Sequence, residues 1–87
     1  MMNIHDFRIM SFEKKCEIVT YNGQFLVHRF LGDSKVFLYS ADHFFIEVFF
    51  SPKYQKVLMI NAFDQSTGLE PYLETISLVD LERRSIL

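Results

Sequence analysis

The spacing of apolar residues changes character at Gly23. Ahead of it, Phe12, Cys16 and Val19, with Ile18 to one side, recur near the helical period, while Glu13, Lys14, Lys15 and Glu17 take the other side. Ser11 is suited to cap such a helix, and Glu13 falls in its first turn, where the positive end of the dipole favours an acid. Asn22-Gly23 supplies residues that tolerate the left-handed conformation in which many helices end. The spacing therefore predicts a helix over 12–21.

Beyond Gly23 the period becomes two, and Phe, Val, Ile and Tyr dominate. This predicts strands at 24–31, 35–40, 43–50 and 56–63, separated by Gly32-Asp33-Ser34, Ala41-Asp42 and Ser51–Gln55. Connections this short join antiparallel neighbours and leave no room for a crossover helix. The expected fold is α+β: an N-terminal helix packed on a four-stranded antiparallel β-meander, with a short C-terminal helical or extended segment. Residues 1–10, with Ile4, Phe7, Ile9 and Met10, are expected to dock as an arm by their apolar side chains, with room for one turn of helix. At the other end Glu70-Pro71 can open a short helix with Leu69, Tyr72, Leu73 and Ile76 on one side. Ser77 and Asp80 can cap a further turn, and a fifth strand over 75–79 competes with that reading.

Tight turns allow the register to be argued. With Gly32-Asp33 and Ala41-Asp42 as two-residue loops, Arg29 faces Val36 and Val36 faces Glu47. A first face then gathers Leu26, Phe30, Phe37, Tyr39, Phe44, Ile46, Val48 and Phe50, with His28 and Lys35. A second gathers Phe25, Val27, Leu31, Val36, Leu38, Phe45 and Phe49, with Arg29 and Glu47. If the loop before the last strand holds five residues, Leu58, Ile60 and Ala62 join the first face, where the helix is expected to pack. A sheet wetted on one side should alternate apolar with polar. Here both faces are greasy, so something must cover the second one. The C-terminal segment, the N-terminal arm, a second copy or another protein could do so.

Length and charge narrow the classes. With 87 residues the chain is expected to form one domain, 1–87. Half its residues are hydrophobic, including ten Phe, which lets a thin domain build a core from few side chains. The net charge of −2 and the scatter of the basic residues, whose closest clusters are Lys14-Lys15 and Arg83-Arg84, speak against nucleic acid and against an anionic membrane as partners. The most apolar run, Phe44 to Phe50, is far short of a spanning helix. With no basic leader ahead of an apolar run, the expected address is cytoplasmic.

The chemistry-bearing residues form no signature. Cys16 stands on the helix stripe and reads as a small buried residue. His5, His28 and His43 lack the short spacing of metal ligands. Asp42-His43 lies in a turn, and Glu70, Glu74 and Asp80 read as a solvated flank. No catalytic residue, metal or cofactor is expected. The interface candidates are Arg29, Phe45, Glu47 and Phe49 on the second face, with Arg29 and Glu47 as an ion pair across Val36. The function expected from the sequence is a non-enzymatic protein-interaction module, self-associating as a homodimer or binding another protein through an apolar sheet face or edge. The alternative is a module holding a small apolar ligand between helix and sheet.

Overall fold

Two helices precede the sheet, the first being the short turn of helix that the N-terminal arm allows and the second the predicted one. The computed structural model describes residues 2–73. Helix α1 (Ile4–Arg8) has a reciprocal cap: the Asp6 amide donates to Asn3 Oδ1 over 2.9 Å, and the Asn3 amide donates back to Asp6. Five residues are too few to stand alone in water. What holds α1 is Phe7, only 1% exposed and packed on Phe44 with ring centroids 5.5 Å apart. Helix α2 (Phe12–Asn22) starts on the expected cap, the Lys14 amide donating to Ser11 Oγ over 3.1 Å. It ends at Gly23, whose φ of −78° is not left-handed. Close approach is what excludes a side chain there, since a Cβ would stand 2.7 Å from the Val19 carbonyl oxygen.

The sheet is a four-stranded antiparallel meander in the order β1-β2-β3-β4. Its strands are β1 (Gln24–Leu31), β2 (Ser34–Ala41), β3 (Phe44–Ser51) and β4 (Lys56–Phe63). A 3-10 helix follows over Ser66–Tyr72. The architecture is α+β, with N-terminal helices on one sheet face and the 3-10 helix as the described part of the C-terminal segment. The expected turn at Ser77–Asp80 and the alternative strand over 75–79 lie outside the described residues.

Three details of register differ from the reading of the turns. The first turn is Gly32-Asp33 as expected, with Gly32 at φ +60°. The second is Asp42-His43, with Asp42 taking the positive φ, so Ala41 faces Phe44 and Val36 faces Phe49. Glu47 therefore stands opposite Leu38, two residues from its expected partner. A shift of two preserves which face each side chain occupies. In β1 the register slips between Phe25 and Val27, so Leu26 is an extra residue and Phe25 comes opposite Tyr39 on the first face. In β4 a four-residue loop is followed by a second slip at Leu58. The extra residue has the same effect as a fifth loop residue, and Ile60 and Ala62 reach the first face opposite Val48 and Ile46.

The main core forms between the helices and one end of the first face, where Ile4, Phe7 and Val19 meet Ala41, Phe44, Ile46 and Ala62. Ile18 and Tyr39 pack at its border, and Phe12, the first residue of the predicted stripe, is half exposed.

Candidate functional site

The four interface candidates take two different places on the second face. Glu47 and Arg29 stand at its centre, beneath the 3-10 helix. Pro71 lies within that helix, and Tyr72 at its end is fully buried. Glu47 accepts three hydrogen bonds: from Tyr72 Oη at 2.6 Å, Asn61 Nδ2 at 2.9 Å and Arg29 Nη2 at 3.4 Å. The Arg29 guanidinium also lies 5.0 Å from the Tyr72 ring centroid. Arg29 and Glu47 do pair, diagonally across β2, and the chain's own tyrosine closes over them. Burial and the neighbouring carboxylate push the Tyr72 hydroxyl above its ordinary range, since ionising it would set a second anion beside Glu47.

Phe45 and Phe49 lie toward the two ends of the same face. Phe45 stacks on Phe63 at 5.3 Å, and Phe49 stands between Val36 and Met59. Both are half-buried, while Met59 on the edge strand is half exposed. Val36 and Leu38 complete a small second core. The second face is thus covered at its middle by the 3-10 helix.

The other half of the first face carries an exposed aromatic cluster. An 11-residue helix is about 16 Å long, whereas eight extended residues span about 26 Å. Packed at the Ala41–Phe44 end, the helices leave Lys35, Phe37, Phe50, His28 and Phe30 outside the main core at the far end, where among the described residues no helix covers them. Phe30 is 69% exposed and Phe25 52%. The rings of Phe25, His28, Phe30, Phe37, Tyr39 and Phe50 connect in a chain at centroid distances of 5.7–6.3 Å. The Lys35 ammonium lies 5.1 Å from the Phe37 centroid and 5.8 Å from that of Phe30. Edge-to-face packing with a cation over the rings gives this surface order of its own.

This aromatic cluster contains none of the four candidates taken from the sequence. Its signal lay in the first face itself, since eight-residue strands apolar along their whole length offer more surface than one short helix can cover. Beside the cluster runs the outer margin of β1, an edge strand whose outward main-chain groups have no neighbouring strand among the described residues. At the opposite margin, Arg8 Nη2 donates to the Ala62 carbonyl over 2.9 Å and the Leu58 bulge interrupts β4.

A depression of about 710 Å³ opens between the helices and the Asp42 turn, lined by Met2, Asp6, Met10, Ile18, Asn22 and Asp42. Among the described residues there is no cluster of metal-ligating side chains and no helix long and apolar enough to cross a membrane. Comparison with models of protein families, with curated proteins and with solved structures gives no match. The class the fold defines is an α+β domain of two short helices on an antiparallel meander, with an exposed aromatic cluster beside a sheet edge that no strand pairs among the described residues.

Proposed function

We propose that this chain is a non-enzymatic protein-binding module whose contact surface is the aromatic end of the first sheet face together with the β1 edge. The observation that carries this reading is Phe30, 69% exposed on an edge strand and connected to five further rings. Contiguous apolar surface of this kind marks a partner site more often than free solvent contact. An open edge strand offers main-chain donors and acceptors that bind any extended segment, while the rings alongside select its side chains. The partner is another protein chain, its own or a different one. A cluster of aromatic rings beside a single lysine lacks the basic groove that tracks a nucleic-acid backbone.

The reading is tested by placing a photo-reactive phenylalanine analogue at position 30 of the full chain, and separately at position 12. Phe12 is a matched control, 48% exposed on α2. Position 30 is expected to cross-link to polypeptide in cells while position 12 does not. Equal labelling at both positions, or cross-links from position 30 only to residues of the same molecule, would overturn it.

A further inference from the structure

We infer that the occupant of this surface is a second copy of the chain, joined β1 to β1 about a two-fold axis at His28, so that two four-stranded sheets become one. This rests on the protein-binding reading and names its partner.

The outward groups of β1 follow from its turn. Leu31 and Ser34 close the two-residue Gly32-Asp33 hairpin, and a pair in that position exchanges its main-chain hydrogen bonds. Because these groups alternate in direction along a strand, Arg29 and Leu31 address β2 while His28 and Phe30 point their N–H and C=O groups away from the sheet. A two-fold axis at His28 sets His28 against its own copy as a hydrogen-bonded pair. Val27 then faces Arg29 in both halves. The next pairing depends on the bulge. With Leu26 as the extra residue, Phe30 of one copy comes opposite Phe25 of the other, on the same face, twice. These are the two most exposed rings of the cluster. A regular strand would have placed residues 25 and 30 on opposite faces, so the bulge is what makes the edge self-complementary.

Charge and area agree with this pairing. Arg29 already has Glu47 at 3.4 Å, so the seam brings together no unpaired arginines, and Lys35 lies one strand back. Phe25, Phe30 and Leu31 are 52%, 69% and 52% exposed. At 150–250 Å² for a large side chain they offer roughly 350 Å² per copy. Adding main chain, the total approaches about 1,000 Å², the lower bound for a specific interface. The expected product is a reversible dimer with a dissociation constant on the order of micromolar. The margin of β4 is a poorer seam, being bulged at Leu58 and partly taken by Arg8.

The experiment uses the full chain with Cys16→Ser and, on that background, His28→Cys or Met59→Cys. Paired Cα atoms about 5.5 Å apart are within disulfide range, so His28→Cys is expected to form a covalent dimer under mild oxidation and Met59→Cys is not. Sedimentation of the unmodified chain is expected to show monomer and dimer exchanging between about 1 and 500 μM. Phe30→Lys and Phe25→Lys should each weaken the dimer about tenfold or more, with the circular dichroism spectrum unchanged and the unfolding midpoint no longer rising with protein concentration. A strict monomer over that range, or a dimer trapped through Met59→Cys alone, would overturn the inference. If the chain is monomeric yet position 30 labels a different polypeptide, the protein-binding reading survives and the second copy is excluded. A monomer that labels nothing but itself ends both.

Discussion

Tyr72 donates its hydroxyl proton to Glu47 over 2.6 Å, joining residues 25 positions apart in the chain. The bond fastens the end of the 3-10 helix to the middle of the sheet and gives the buried carboxylate its shortest contact. A hydrogen bond to a charged acceptor contributes about 1.5–3 kcal/mol, and leaving the acceptor short of a donor costs a similar amount. Tyr72→Phe is therefore expected to lower stability by about 1.5–3 kcal/mol. Tyr72→Ala also removes the ring over Arg29 and should cost about 3–5 kcal/mol. Urea unfolding followed by circular dichroism separates the two. Equal midpoints for Tyr72→Phe and the parent chain would show that the bond contributes nothing.

Arg29 and Glu47 behave as a unit. Their side chains are 16% and 8% exposed, so removing either partner strands a charge in poorly hydrated surroundings. Arg29→Met and Glu47→Leu are each expected to cost about 3–5 kcal/mol, whereas the double variant should recover much of that loss. The double-mutant cycle reads the coupling directly from the four unfolding free energies. Additive losses would mean that the pair does not interact across β2.

The raised Tyr72 pKa carries a sign for alkaline pH. An unfolded tyrosine gives up its proton near 10.0. The folded state holds the Tyr72 proton more tightly, first because burial disfavours the phenolate and next because the hydroxyl donates to Glu47. Below pH 10 both states are protonated and this contribution is fully present. Above it the unfolded state releases its proton first, and stability falls as the pH climbs toward the folded value. Stability measured between pH 9 and 11 is expected to decline more steeply for the parent chain than for Tyr72→Phe. Parallel curves would refute the assignment.

Much of this fold was legible because short turns and a change of period leave few alternatives. The cap at Ser11, the four strands and the choice of helix face all follow from residues close in sequence. Errors arose where one residue decides. Asp42 accepts a positive φ, which moves the second turn one position along the chain. Leu26 is absorbed as a bulge, which carries Phe25 to the other face. The Glu47 network was half visible: Arg29 could be paired with Glu47 from strand spacing, but Tyr72 is reached only through a loop whose path no periodicity encodes. From the sequence the surplus of apolar surface falls on the second face, because that face has no predicted cover. The helix lengths place a large part of it on the first.

The two N-terminal phenylalanines separate what the pattern suggests from what the packing decides. Phe12 begins the helical stripe, and Phe7 sits in a stretch without a clear period. Their exposures are 48% and 1%, respectively. Phe7 fills the space between α1 and the sheet against Phe44, so Phe7→Ala leaves a cavity that five helical residues cannot collapse into without losing their only deep anchor besides Ile4. The expected loss is about 3–5 kcal/mol, a large share of the stability available to a domain of this size. Phe12→Ala should cost well under half as much, because its ring already meets solvent. Thermal unfolding of both variants ranks them, and a Phe12→Ala midpoint at or below that of Phe7→Ala would show that α2, not α1, closes the core.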